Sequence, residues 1–526
     1  MPHLLHHFID LSAQQRPDDI ALVQRDRCLD YAGLAAATAA VAQGLLSLGL
    51  ARGERVAVYL PKQLETVSAL FGAARAGGVF VPVNPLLKPE QVRHILRDCN
   101  VRVLVTSAPR AAQLGDTLAD CHDLRQVVVV DADKGLPDLA GVETLGWQTF
   151  TSAGDHHRPH TVIDDDVAAI LYTSGSTGRP KGVVLSHRNM VAGAKSVAQY
   201  LENTANDRLL AILPLSFDYG LSQLTTAFSV GARAVLLDYL LPLDVIRAVA
   251  REGITGLAAV PPLWHQIATL PWPEEAQASL RYLTNSGGAM PGTTLNALRA
   301  ALPHTKPYLM YGLTEAFRST YLPPEELNRR PDSIGRAIPN AEVMVVREDG
   351  SPCAPGEPGE LVHRGALVAK GYWNDAERTA ERFRPAPGQS DAIPLLEMAV
   401  WSGDTVKRDE EGFLYFVGRR DDMIKTSGYR VSPTEVEEVI YASGLVGQVA
   451  ALGIPHPRLG QAIVAVVTPS AEIPVDTDAL VKHCKQRLPS FMVPAMVLSR
   501  DAMPRNPNGK IDRKQLANEL QDLFED

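Results

Sequence analysis

Apolar and polar positions along the chain switch between two periods. Residues 32 to 50 (AGLAAATAAVAQGLLSLGL) are rich in Ala and Leu at helical spacing, and Arg52–Gly53–Glu54 then leads into Val56–Leu60, a short apolar run that predicts a strand. Leu64 to Ala76 predicts a second helix, stopped by Gly77–Gly78, and Val79–Val83 the next strand. A helix over Pro89–Asp98 precedes a strand over Val101–Val105, and Gln126–Val130, Ala234–Leu237 and Gly256–Val260 are further strand candidates. Strands separated by helices predict parallel sheets covered on both faces, hence an α/β fold in αβαβα-type layers.

The pattern changes after residue 340. Glu342–Val346, Gly359–Val362 and Phe413–Val417 are short strands separated by Gly, Pro and Asp, as in an antiparallel or barrel-like segment. Beyond Gly418 the chain becomes strongly charged (RRDDMIK), and a compact α+β pattern follows: helix 433–442, strands 448–453 and 462–467, helix 477–487. This predicts a large domain over residues 1–420 and a small one over 421–526, with the boundary near Asp421. A chain of 526 residues exceeds what one hydrophobic core supports, which agrees with that division.

Composition narrows the function classes. Apolar residues at 45% and charged residues at 21% are ordinary for a globular protein. The net charge of -9 argues against a nucleic-acid-binding face, while leaving room for a local basic pocket for phosphates. Five scattered cysteines (Cys28, Cys99, Cys121, Cys353, Cys484) form no CxxC pair and no zinc spacing, which fits a reducing compartment. The opening MPHLLHHFIDL does not read as a signal peptide, and no stretch of about 18 residues is apolar enough for a membrane span. A cytoplasmic location follows by elimination.

The strongest local signal is Leu171–Tyr172–Thr173–Ser174–Gly175–Ser176–Thr177–Gly178–Arg179–Pro180–Lys181–Gly182. Glycines let a backbone approach a ligand closely, hydroxyls and amides can donate to phosphate oxygens, and Arg179 and Lys181 add positive charge. Gly182 follows the lysine where a P-loop has Ser or Thr, so this is a different phosphate loop. On its own it also reads as a flexible surface loop. The stretch YTSGSTGRPKGV closely resembles the signature loop of the adenylate-forming superfamily: acyl- and aryl-CoA synthetases, adenylation domains of nonribosomal peptide synthetases, and luciferases.

Companion motifs extend the resemblance from about residue 170 to 513, in order. Tyr311–Gly312–Leu313–Thr314–Glu315 is similar to the family's YGxTE motif, which implies a tyrosine face for adenine, Thr314 on the α-phosphate and Glu315 as an oxygen ligand for Mg²⁺. Asn285–Ser286–Gly287–Gly288–Ala289 resembles the segment whose backbone lines the adenine site, and Trp401–Ser402–Gly403–Asp404 the motif whose aspartate accepts from the ribose hydroxyls. Gly418 to Arg430 (GRRDDMIKTSGYR) resembles the segment joining the two domains. By that resemblance Arg419 contacts ribose, Asp421 is the hinge, Gly428 borders the pantetheine arm and Arg430 reaches a phosphate. Pro504 to Arg513 (PRNPNGKIDR) resembles the tail that carries the catalytic lysine, here Lys510. Thr173, Ser174, Gly175, Ser176, Thr177, Gly178 and Lys181 are the implied phosphate-loop contacts. The first 160 residues also resemble the family's N-terminal part (GERVAVYLP, GGVFVPVNP), and the overall wording looks closest to bacterial acyl-CoA ligases associated with exosortase and exopolysaccharide gene systems.

The resemblance implies that a carboxylic acid is activated by Mg·ATP as an acyl adenylate and passed to a thiol, with CoA as the leading acceptor. It implies two poses of the small domain, one presenting Lys510 and the other the Gly428 face. The oligomeric state stays open, a homodimer included. Leu213–Gly220 (LPLSFDYG) stands where many such synthetases carry PLFHxxG, with Phe217 at the histidine position and Asp218 after it. Amino-acid-activating relatives present a carboxylate to the substrate ammonium at this place. The competing reading has Asp218 capping a helix that begins near Tyr219. Trp264 is either a pocket wall or plain core, and Arg318 faces either a substrate carboxylate or the surface. Two other functions remain: an enzyme loading an amino acid or acyl group onto a carrier protein in trans, and a non-catalytic nucleotide-binding regulator on this fold. The persistence of Lys181, Glu315, Asp404, Arg419 and Lys510 at motif positions speaks against the latter.

Overall fold

The computed structural model describes residues 2–132, 135–139, 141–154, 157–173, 180–288, 290, 292–390, 392–419, 423–469, 475–504 and 511–525, with only the backbone described at 293, 418, 419, 434 and 514. The apolar runs Arg55–Tyr59, Val79–Pro82, Val101–Thr106, Gln126–Val129 and Glu143–Gly146 form parallel neighbours in a seven-stranded sheet. Val167–Thr173 joins it beside Val79–Pro82, and Lys181–Ser186 closes the edge antiparallel to Val167–Thr173. Ser186 ends that strand and caps the helix His187–Tyr200: its hydroxyl accepts from the Asn189 N–H, and Asn189 Oδ1 accepts from the Ser186 N–H at 2.8 Å.

A second sheet of 14 strands has a parallel middle, a short antiparallel hairpin at one edge and a long antiparallel part at the other. Its parallel part runs through Arg208–Ala211, Gly256–Ala259, Tyr282–Asn285 and Lys306–Tyr311. Thr320–Leu322 and Ser333–Ala337 then reverse direction and carry the hydrogen bonding into Leu414–Arg419, Met398–Arg408, Gly359–Gly365 and Ala341–Val346. The antiparallel segment expected after residue 340 is therefore continuous with the parallel sheet.

Helices Tyr31–Ser47 and Leu64–Ala76 pack between the two sheets, with His187–Tyr200 and Asp218–Val230 beside them. Phe71 and Phe228 meet edge to face at 5.3 Å, and each ring is fully buried. Burying one such side chain contributes about 1.5–3 kcal/mol, and the ring pair adds about 0.5–1.5 kcal/mol. A separate cluster (Val92, Ile95, Leu104, Val127) fills the outer face of the seven-stranded sheet, so that sheet is covered on both sides.

The C-terminal portion has a five-stranded sheet built around the hairpin Gln448–His456 and Gly460–Thr468. Helices Pro433–Tyr441 and Thr477–Arg487 cover one face through Val436, Ile440, Leu480 and Cys484, and Arg513–Glu519 covers the other through Leu516. It touches the larger part where Gln91 Nε2 donates to Glu435 Oε1 at 2.9 Å. Among the described residues no helix is long and apolar enough to cross a membrane.

Candidate functional site

Thr173 and Lys181 are paired across the hairpin at the rim of the seven-stranded sheet, so the glycine- and hydroxyl-rich connection starts and ends there. Ser174, Gly175, Ser176, Thr177 and Gly178 lie outside the described residues, but both anchors are in place. The Thr173 hydroxyl is buried and has no hydrogen-bond partner. Lys181 Nζ donates to Tyr372 Oη at 2.8 Å, lies 4.1 Å from the centre of that ring, and stands 3.1 Å from Glu315 Oε1. Tyr372 Oη in turn donates to Glu315 Oε1 at 2.6 Å. Burial pushes the Glu315 carboxyl up, but the Lys181 charge and the Tyr372 hydroxyl outweigh it and hold it down at about 2.

Glu315 sits on a single helical turn, Thr314–Ala316, just past the carboxyl end of the strand Lys306–Tyr311. Gly287 and Gly288 follow the neighbouring strand Tyr282–Asn285 in the same way. Ligand sites in such sheets gather at the carboxyl ends of parallel strands. Tyr311 Oη donates to Asp404 Oδ2 at 2.5 Å. Asp404 lies in the strand Met398–Arg408, in register with Arg419, whose side chain is outside the described residues. Gly403 just before it has φ 68°, and its N–H donates to Glu360 Oε1 at 3.0 Å. Trp401 to Asp404 is thus part of a strand, with a glycine irregularity that sequence alone reads as a turn.

Tyr311, Gly312, Thr314, Gly287, Gly288 and Asp404 border one cavity of about 370 Å³. His363 adjoins this group and was not picked out from the sequence. Its ring stacks near Tyr311 at 6.1 Å, both of its nitrogens lack hydrogen-bond partners, and burial lowers its pKa to about 4. It arrives on the strand Gly359–Gly365, far from any motif, where Glu360 to His363 are all buried, so no alternation marks it as inward.

The acyl side decides between alternatives at two positions, and Trp264, expected as a pocket wall or plain core, proves to be core. The helix begins at Asp218 itself, with Phe217 at the N-cap and no side-chain capping bond, so Asp218 is not a cap. Trp264 is fully buried in the core, donates to the Ala259 carbonyl at 3.1 Å, and borders none of the three cavities around the site. Trp264 lies in the helix Pro261–Ile267, and its indole N–H turns back to the carbonyl five residues earlier, at the end of the strand Gly256–Ala259, which holds the ring away from the cavity. Asp218 instead faces Arg318: Oδ2 and Nη1 are 3.6 Å apart, with the side chains 5% and 3% exposed. Arg318 also lies over the Tyr219 ring at 4.5 Å. It therefore points inward, and the surface alternative for Arg318 is excluded. Burial raises the Asp218 carboxyl pKa, opposed by the Arg318 charge.

Ser427 and Gly428 form the two-residue turn between Ile424–Thr426 and Tyr429–Val431, at φ 52° and 82°. Positive φ at both positions is the primed hairpin geometry that favours glycine. Gly428 borders the 370 Å³ cavity, a second of about 400 Å³ and a third of about 780 Å³. Phe217 borders the first two and so forms a wall shared between them. Arg430 lines the first. Ala289, Asp421 and Lys510 lie outside the described residues.

Comparison with known proteins agrees with this arrangement. The model of the AMP-binding enzyme family matches residues 9–373, and that of the AMP-binding enzyme C-terminal domain matches residues 435–510. The chain is similar to an L-proline–[L-prolyl-carrier protein] ligase of Streptomyces coelicolor, at 35% identity over 93% of this chain and 91% of that one. It is similar to a long-chain-fatty-acid–CoA ligase of Mycobacterium tuberculosis at 31% identity, covering 92% and 91%. Among solved structures it is similar to o-succinylbenzoate CoA synthetase from Bacillus subtilis, a double mutant bound with its product analogue (TM-score 0.83, 26% identity, covering 97% and 98%). The paired anchors Thr173 and Lys181, the Tyr311–Asp404 pair, the buried Glu315 and these matches over nearly the whole chain have one reading: the chain belongs to the AMP-binding enzyme family, and it is an ATP-dependent ligase that activates a carboxylic acid as an acyl adenylate and transfers it to a thiol.

Proposed function

We propose that the acceptor is the thiol of CoA and that residues 1–420 bind ATP and acid while residues 421–526 act as a mobile lid hinged at Asp421. The observation that carries this reading is the position of Gly428, which borders three cavities, two of them also bordered by Phe217. A narrow arm ending in a thiol would enter past Gly428 and meet the acyl carbon beside Phe217.

The first step joins an oxygen of the acid's carboxylate to the α-phosphorus of ATP and breaks the bond to pyrophosphate, which leaves. Tyr311, Gly287, Gly288 and Ala289 form the adenine slot, and Asp404 and Arg419 hold the ribose. Thr173 to Gly178 and Lys181 hold the phosphates, with Arg430 reaching one of them. The unpartnered Thr173 hydroxyl and the anchored Lys181 suit that duty. Among the described residues no group of three or more His, Cys, Asp or Glu forms a metal cage, so Glu315 offers a single carboxylate. That fits Mg²⁺, which is bound through one or two carboxylates plus substrate phosphates. It would neutralise phosphate charge there. Thr314 donates to the α-phosphate, and Lys510 supplies charge where it grows in the transition state. In the second step the thiol sulfur bonds to the acyl carbon, its proton is lost, and AMP leaves with the bonding pair of the mixed anhydride.

A carrier-protein phosphopantetheine is the second reading, favoured by one observation: Asp218 places a buried carboxylate at the acyl side, where an amino-acid substrate presents its ammonium. Both acceptors and both steps belong in the cytoplasm, where ATP is available. The test is thioester formation from purified acyl adenylate with CoA, with free pantetheine and with a phosphopantetheinylated carrier protein. A rate with CoA at least about tenfold above both others supports the CoA reading, and saturation by the carrier protein alone overturns it.

A further inference from the structure

Arg318 has an unmet donor. Its side chain is 3% exposed, its Nη2 finds no hydrogen-bond partner, and its guanidinium is held over the Tyr219 ring at 4.5 Å, so it does not swing out to solvent. Its charge partner Asp218 stands at 3.6 Å, too far for a hydrogen bond, and the two together line the 370 Å³ cavity. A buried arginine donor left bare is costly, and so is a buried pair without a direct hydrogen bond, unless something else completes them.

The candidates for that completing group differ in charge. An apolar acyl chain would leave Nη2 bare. A monocarboxylic amino acid would meet Asp218 but leave Nη2 bare. A plain dicarboxylic acid would meet Arg318 but add negative charge beside Asp218, with Glu315 close behind it. A substrate bringing both an ammonium and a second carboxylate completes each partner and keeps the pocket neutral. The same cavity is bordered by Tyr311 and Asp404, so the nucleotide shares it and a short acid fits better than a long chain.

We propose that the activated acid is a short amino-dicarboxylic acid, its ammonium on Asp218 and its second carboxylate on Arg318, with Asp218 and Arg318 as the specificity-determining pair. This rests on the reading that the cavity holds the acid during adenylation, and it holds for either thiol acceptor.

The test is acid-dependent exchange of labelled pyrophosphate into ATP with aspartate, glutamate, 2-aminoadipate and diaminopimelate. Each is compared with its desamino diacid and its side-chain amide where one exists, and with fatty and aryl acids. One amino-diacid is expected to exceed both of its analogues by about 100-fold or more in kcat/KM, since a site built to bond a group rejects the analogue lacking it. The double substitution D218N/R318M keeps the pocket neutral and should erase that preference, while AMP affinity and the melting temperature stay near wild type. R318K should recover part of the loss. Exchange that is fastest with a fatty or aryl acid overturns this proposal and leaves the adenylation reading standing. A preference unchanged in D218N/R318M also overturns it. Exchange with no acid of any class overturns both.

Discussion

Lys181 Nζ stands 3.1 Å from Glu315 Oε1, and Tyr372 Oη bridges the two by accepting from the lysine and donating to the carboxylate. The anchor of the phosphate loop and the proposed magnesium ligand neutralise each other. The arrangement keeps Glu315 ionised in a buried place, which the chemistry needs.

Breaking that triad has graded consequences. Glu315→Gln removes the metal-binding charge and is expected to lower kcat for adenylation by about 100-fold or more, while Tyr372→Phe, which removes one bridge, costs about tenfold or less. Steady-state kinetics over a magnesium titration would check this, and equal losses in the two variants would contradict it.

The Glu315 charge also sets an acid limit. Its folded pKa is depressed to about 2, so its stabilising contribution is present above the unfolded value near 4.5 and is lost as pH falls through about 2. Acid unfolding of the wild type should therefore steepen below about pH 4 relative to Glu315→Gln, as followed by circular dichroism.

Glu435 works in the opposite direction. Burial raises its carboxyl pKa to about 7 against the helping hydrogen bond from Gln91, with Glu438 raising it further. A raised folded pKa means the contact contributes fully below about 4.5 and is lost as pH rises through about 7. Docking of the C-terminal part onto the helix Pro89–Asp98 should weaken between pH 6 and 8 in the wild type and become pH-independent in Glu435→Gln. Fluorescence energy transfer between dyes on the two parts reads this directly, and a wild-type signal flat over that range would refute it.

Gly428 offers a step-specific lesion. A Cβ there would lie 2.8 Å from Val260 Cγ2, at a φ of 82° that side chains rarely adopt. Gly428→Ala is expected to slow thioester formation by about 30-fold or more and leave adenylation within about threefold. Lys510→Ala should do the reverse, abolishing adenylation while sparing thioester formation from supplied acyl adenylate. Measuring the two half-reactions separately in both variants checks the pair of claims, and a loss of both steps in either well-folded variant would contradict the division of labour.

Legibility in the sequence followed the range of the interactions. Helices Leu64–Ala76, Pro89–Asp98 and Thr477–Arg487 match the expected bounds because caps, glycines and apolar spacing act locally. The strand Met398–Arg408 was missed because it is buried along most of its length and broken by Gly403, so no alternation marks it. The site motifs were readable as words, but their partners were not: Tyr372 reaches Glu315 over 57 positions, and Arg318 reaches Asp218 over a gap nearly twice as long. The helix-cap expectation for Asp218 weighed only local chemistry, and the buried arginine that displaces it becomes visible once the strand ends are brought together.

The most direct test of the central claim is exchange of labelled pyrophosphate into ATP with the purified protein, across amino, fatty and aryl acids and with no thiol present. The account predicts exchange that requires both magnesium and one class of acid, with acyl adenylate isolable from the reaction. Absence of acid-dependent exchange under conditions where the protein binds ATP would contradict it.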